Sequence, residues 1–282
     1  MAKRRLFGDS VGGRKGIPWV LLVLISWVMI VAVWNSQAFA ITGREVMEKV
    51  NARDDGDKQV STMEMVLVDR KGKKRQRTIR SFRKDMGKDS YSIMFFLSPA
   101  DTKNTGFLTY DYDTAGKDDD QWLYLPALKK TKRIAGGDKS GSFMGSDFNF
   151  SDLSRPDLDD YDYKILKETP IDGAKTWQIQ VTPKSKDIAE ESGYSKSVLW
   201  VRQDNLMMIR SVRWVNKSKR LKYFQVKELK QVDNIWVATK LQMVTKEGRN
   251  TVHATLLTLS DVRFNTPLDD SMFTVRRLEK GI

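Results

Sequence analysis

Met207-Met208-Ile209-Arg210-Ser211-Val212-Arg213-Trp214-Val215-Asn216 is the stretch that decides the fold class. Met208, Arg210, Val212 and Trp214 share one parity, and Met207, Ile209, Arg213 and Val215 share the other. A period of two among β-branched and aromatic residues marks a strand. Asn216-Lys217-Ser218-Lys219 then reads as a turn, and residues 220–229 as the returning strand.

The same unit recurs in both directions. Downstream, residues 235–245 and 251–262 read as strands, separated by the turn Lys246-Glu247-Gly248-Arg249-Asn250, and residues 273–278 close the chain as a last strand. Upstream, strands are expected over 162–166, 176–182 and 197–202. Nearer the start, 61–68 and 75–84 flank the turn Asp69-Arg70-Lys71-Gly72-Lys73. Residues 91–97 form an apolar strand stopped by Ser98-Pro99, and 106–111 and 121–126 are shorter ones. Residues 41–53 read as a helix, with Thr42 and Glu45 spaced as a capping box. The stretch 135–156 is Gly-rich and aperiodic. Such a meander needs closure, or a helix across one face, to manage its edges. The expectation is a mainly antiparallel β, α+β domain: a strongly curved, unclosed β-barrel of about ten or eleven strands with covering helices.

Lys3, Arg4, Arg5, Arg14 and Lys15 precede an apolar run at 20–34, and Ala38-Phe39-Ala40 closes the segment. This pattern reads as an export signal cleaved before Ile41, or as an anchor if it is retained. Both readings place the remaining chain outside the cytoplasm. No composition shift divides residues 41–282, so they read as one domain, expected to be monomeric and periplasmic. The sequence has no cysteine, which excludes disulfides, a thiolate zinc site, a cysteine nucleophile and a lipid-modified cysteine. Its formal net charge is +13. Outside the cytoplasm that charge points to anionic headgroups or an acidic partner rather than nucleic acid.

No nucleophile elbow, phosphate-binding glycine loop or H-E-x-x-H motif is present. His253 is the one histidine and reads as structural or surface-exposed. Asp147 and Asp152 read as turn formers, so neither metal nor cofactor nor catalytic residues are expected. Two segments stand out instead. Trp122-Leu123-Tyr124-Leu125-Pro126-Ala127-Leu128 leads into Lys129, Lys130, Lys132 and Arg133. Residues 141–153 mix Phe143, Met144, Phe148, Phe150 and Leu153 with glycine, serine and aspartate. Such a loop must bury its aromatics against the sheet, or hold them over a cavity mouth as a lid or plug.

These two segments, behind an export signal and an N-terminal helix, resemble the outer-membrane lipoprotein-sorting (LolA-like) superfamily. The likeness spans residues 41–279 and is strongest to the subfamily associated with resistance-nodulation-division exporters. The resemblance implies a carrier with an apolar cavity for acyl chains of a lipid or lipoprotein. Its partners would be an inner-membrane exporter and an outer-membrane acceptor. Trp122, Tyr124, Leu128, Phe143, Met144, Phe148, Phe150 and Leu153 then line or rim the cavity, and Lys129, Lys130, Lys132 and Arg133 meet headgroups or a partner. Two other readings stand beside it: a lipid-free exporter adaptor, and a hydrolase of lipid or cell-wall substrates. An apolar cavity beneath 141–153 favours the carrier, and a filled interior the adaptor.

Overall fold

The computed structural model describes residues 41–282; the basic start, the apolar run at 20–34 and Ala38-Phe39-Ala40 lie outside the described residues. Thr42 caps the first helix, α1 (Gly43–Asn51), through the expected reciprocal pair with Glu45: Thr42 N–H donates to Glu45 Oε2 at 2.7 Å and Glu45 N–H to Thr42 Oγ1 at 3.2 Å. Six strands follow: β1 (Lys58–Asp69), β2 (Lys74–Met86), β3 (Asp89–Ser98), β4 (Gly106–Asp111), β5 (Asp120–Leu125) and β6 (Lys130–Ile134). Seven more come after residue 160: β7 (Tyr161–Ile171), β8 (Ala174–Pro183), β9 (Tyr194–Arg202), β10 (Met208–Val215), β11 (Arg220–Val232), β12 (Ile235–Glu247) and β13 (Asn250–Phe264). Helix α2 (Lys186–Ser192) joins β8 to β9, and α3 (Val275–Lys280) ends the chain.

All thirteen strands pair antiparallel in one sheet, in the order β6-β5-β4-β3-β2-β1-β13-β12-β11-β10-β9-β8-β7. The chain therefore starts in the middle. It meanders out to β6, crosses to the far edge at β7, and meanders back until β13 pairs with β1. Short turns set the hairpins. Asp172-Gly173 and Asp233-Asn234 are two-residue connections with both residues at positive φ, which suits the twist of the flanking strands.

This corrects the expected architecture. The strands number thirteen, not ten or eleven, and they form an open sheet rather than a strongly curved barrel, since the end strands β6 and β7 do not pair. The edges are managed by other means. β6 is five residues long and carries Lys130, Lys132 and Arg133, while β7 carries Lys164, Lys167, Glu168 and Pro170. Lys130–Ile134 pairs with β5 despite its charge, because Ile134 turns inward to the core. The stretch 273–278 is not a strand. Thr274 Oγ1 accepts the N–H of Arg277 and starts α3, which lays Leu278 on Gly106 so closely that a Cβ there would sit 2.6 Å from it.

Residues 135–160 make the crossing from β6 to β7 over one face, as a chain of short 3-10 turns. Phe143, Phe148 and Phe150 in this segment are buried among Ile79, Phe96, Phe107 and Leu123 of the first meander and Phe224, Met243 and Leu257 of the second. Phe143 lies 5.1 Å from Phe107 and 5.7 Å from Phe150, ring centre to ring centre, in tilted and edge-on pairings. The opposite face of β2–β5 is covered by α3, with Ile93, Phe95, Leu108, Phe273 and Leu278 at its centre. Truncating Phe143 to alanine should cost about 3–5 kcal/mol, because its ring is enclosed on all sides and the two meanders share it. Urea unfolding checks this; a loss below about 1 kcal/mol would show that the crossing segment does not join the meanders.

Candidate functional site

Pairing register places Tyr163, Val181, Ser197, Arg213, Lys222, Thr245 and His253 in one row across β7 to β13. The crossing segment covers the second half of this row, and a cavity of about 580 Å³ lies against the first half.

Under the crossing segment the row makes a buried polar network. The Asp147 carboxylate accepts hydrogen bonds from Thr245 Oγ1 and from Thr255 Oγ1 (2.7 Å), and pairs with His253 Nδ1 at 2.7 Å. Lys222 Nζ donates to Asn149 Oδ1 at 2.6 Å, and Asn149 Nδ2 to the Ser192 carbonyl at 3.1 Å. Arg213 pairs with Asp152, which also accepts from the Tyr194 hydroxyl at 2.7 Å. Burial opposes the Arg213 charge, but Asp152 and Tyr194 offset it and its pKa rises. Burial lowers the Lys222 ammonium and, with Asp152, raises the Tyr194 hydroxyl well above its usual value. On the first meander, Arg77 Nη1 donates to the Met144 carbonyl at 2.5 Å and Gln121 Nε2 to the Phe150 carbonyl at 3.1 Å.

The cavity is walled by α1, β7–β10, α2, the β4–β5 loop and residues 151–161. Met47, Tyr163, Val181, Ile188 and Leu199 form its apolar lining. Charged groups stand around them. Arg44 pairs with Asp159 at 2.8 Å, and the Arg155 backbone N–H donates to Asp111 Oδ2 at 2.9 Å, with the Arg155 guanidinium 4.0 Å away. Lys139 pairs with Glu191 at 2.6 Å and is nearly buried. Burial pushes the Asp111 carboxyl up from 3.8 to about 6, against the opposing pull of Arg155. Gly43 seats α1 on this site: a Cβ there would lie 2.9 Å from the Tyr163 backbone.

The structure gathers Phe143, Phe148 and Phe150, with Met144 and Leu153 packed against them, in the filled interior beneath residues 141–150. Trp122 and Tyr124 lie on the other face of β5, with Trp122 edge-on to Tyr110 at 4.9 Å. Leu128, at 61% exposure, and Lys129 form the β5–β6 turn, and Lys130 is exposed beside them. Lys132 pairs with Asp138 at 2.9 Å and Arg133 with Asp120. None of these residues lines the cavity. Sequence reasoning missed Arg44, Asp111, Arg155, Tyr194, Arg213 and Lys222. Only the inward parity of Arg213 hinted at any of them, since their meeting depends on register between distant strands.

His253 has an acid partner in Asp147, but its buried Nε2 has no hydrogen-bond partner among the described residues. The nearby hydroxyls of Thr245 and Thr255 point to Asp147, so the pair lacks the nucleophile that a hydrolytic triad places on Nε2. Among the described residues no group of three His, Cys, Asp or Glu side chains could hold a metal ion.

Two stability outcomes follow. Asp152→Asn leaves Arg213 buried without its counter-charge and should cost about 3–5 kcal/mol, with partial recovery when Arg213→Met is added; urea melts of the three variants measure it. A carboxyl whose folded pKa is raised contributes stability below its unfolded value and loses it as pH rises through the folded one. Wild type should therefore lose roughly 2–3 kcal/mol between about pH 4 and pH 7 through Asp111, and Asp111→Asn, which keeps the acceptor for Arg155, should remove that slope. Equal pH slopes in the two proteins would contradict this.

The fold has solved relatives. A family model described as "Uncharacterized protein" matches residues 88–280. The structure of a DUF1329 family protein from Desulfovibrio piger is similar at a TM-score of 0.75 and 30% identity, over 84% of this chain and 97% of that one. A putative outer membrane lipoprotein-sorting protein domain from Vibrio parahaemolyticus is similar at 0.75 and 32% identity, over 84% of this chain and 98% of that one. A LolA superfamily protein from Nitrosomonas europaea, 18% identical with a TM-score of 0.63 over 84% of this chain and 100% of that one, shares the fold. No curated protein matches the chain. With identities of 30% and 32% spread over nearly the full length of two solved relatives, the chain belongs to the DUF1329 family and has the LolA-like fold.

Proposed function

We propose that this protein is a non-enzymatic periplasmic carrier that shelters the acyl chain of a lipid or lipoprotein in the cavity between α1 and β7–β10. The interior beneath residues 141–150 is filled, the arrangement expected of an adaptor, so the reading rests on the separate cavity beside it. Its volume of about 580 Å³ falls within the usual range of small-molecule sites, roughly 300–1,000 Å³. The apolar lining is ringed by charges of both signs, with Arg44 and Arg213 already paired to Asp159 and Asp152, which suits an amphiphile whose hydrocarbon lies against Val181 and Leu199 and whose polar head lies among these charged groups. Hiding each methylene from water is worth about 0.8 kcal/mol, so shelter alone can hold a chain without covalent chemistry. Kinship to the Vibrio lipoprotein-sorting domain supports the same reading.

Residues 1–40 serve in this proposal as an export signal cleaved after Ala40, which frees the carrier to diffuse between membranes. An inner-membrane exporter of the resistance-nodulation-division class supplies the cargo, and an outer-membrane acceptor receives it. Lys129 and Lys130, exposed on the β5–β6 turn, are the proposed partner contact. Release follows when the acceptor binds the acyl chain better than the cavity does.

Native mass spectrometry of the protein purified from its own periplasm tests the proposal. Stoichiometric lipid is expected, and Val181→Trp, which fills the cavity, should reduce its recovery at least about tenfold. Repeatedly empty wild-type protein that still binds the exporter's periplasmic domains would replace the carrier with the adaptor.

A further inference from the structure

We propose that the hairpin turns at one end of the sheet form a docking surface for an anionic phospholipid bilayer. The antiparallel order β2-β1-β13-β12-β11-β10 brings three turns side by side at the same end of their strands. The β1–β2 turn and its flanks carry Arg70, Lys71, Lys73, Lys74 and Arg75, all exposed. The β12–β13 turn adds Lys246 and Arg249, and the β10–β11 turn adds Lys217, Lys219 and Arg220. Register keeps the three level, since Asp69 lies opposite His253, His253 opposite Thr245, and Arg220 opposite Glu247.

Few of these charges are neutralised within the chain. Lys217 pairs with Glu190 at 2.5 Å and Arg220 with Glu247 at 3.3 Å. Among the described residues the five cations of the β1–β2 turn have no carboxylate within ion-pair distance. Asp69, in the same turn, instead accepts the backbone N–H groups of Lys71 and Lys73 at 2.8 and 3.0 Å. The other end of these strands is of mixed sign: Asp55 pairs with Arg83 at 3.2 Å and Asp204 with Arg202 at 2.5 Å, and Asp54, Asp57 and Asp233 are accompanied by Arg53, Lys58 and Lys230. Among the described residues the unpaired cations are thus concentrated at the turn end, which is the face a negative surface attracts.

The form of the surface selects a bilayer over an acidic protein. A specific protein interface needs an apolar or aromatic centre shielded from water. None of these three turns carries a large apolar side chain. They offer long cationic side chains spread over six adjacent strands, a width of roughly 25 Å at the usual strand spacing. Such a comb matches a plane of mobile phosphate groups, where each basic residue near the surface adds attraction that falls off within a Debye length.

This surface lies outside the cavity, and its test does not depend on what the cavity holds. The purified protein is sedimented with vesicles of phosphatidylcholine alone and of phosphatidylcholine mixed with phosphatidylglycerol. Binding to the mixed vesicles only, lost at several-fold higher salt, is expected. Neutralising Arg70, Lys71, Lys73 and Lys74 to glutamine should weaken that binding at least about tenfold, whereas the same change at Lys164, Lys167, Lys175 and Lys227 should alter it less than about twofold. The thermal midpoint of each variant establishes that it is folded; should the turn variant unfold, the wild-type salt titration decides. Equal losses in the two variants, salt-insensitive binding, or no binding to the mixed vesicles would overturn the proposal. Retention on immobilised polyglutamate without vesicle binding would overturn it in favour of an acidic protein.

Discussion

Two meanders whose strands pair with each other only at β1 and β13 leave β6 and β7 at opposite edges of one sheet, so the chain must carry residues 135–160 across the face between them. That passage supplies the core. Apolar strand faces of both meanders need a cover, and the buried rings of Phe143, Phe148 and Phe150 serve both at once. Hydrophobic burial is non-directional, so aromatic rings alone would hold the segment without fixing where along the row it sits. Directional contacts add that: Asp147 to Thr245, Thr255 and His253, Asn149 to Lys222, and Asp152 to Arg213 and Tyr194.

The same anchoring explains where space is left. The segment is packed tightly from Phe143 to Phe150, then departs toward β7, and α1 rather than another strap covers Tyr163 and Val181. A cavity results beside the aromatic cluster instead of beneath it. Its wall combines carbon-rich side chains from β7–β9 with charged groups of both signs from α1, β10, the β4–β5 loop and the crossing segment.

Strand alternation and turn chemistry were legible along the chain, as in the Met207–Asn216 stretch and the Thr42–Glu45 capping box. Local pattern failed where tertiary contacts override it. Lys130–Ile134 looks like a solvated basic run, yet backbone pairing with β5 and one inward Ile134 make it a strand. Residues 273–278 alternate weakly, yet a Thr274 cap and the space above Gly106 make them a helix. The need to bury the aromatics of 141–153 was visible in composition, but not which face of β5 they would share. That depended on the pleat, which sends Leu123 to them and Trp122 away. Arg213, Lys222 and His253 become neighbours only through register between strands, which no local window contains.

The central seam has a consequence for how the molecule is made. β1, the first strand, and β13, the last, are partners, so nearly the whole domain separates the two sides of that ladder in sequence. Each meander can zip from its own turns, but the seam must wait for the final strand, a strongly non-local closure that slows folding. In a chain that emerges from its N-terminus, β1 can pair with β2 at once but keeps its other edge open until the tail arrives. Such delay postpones completion of the sheet until β13 has arrived.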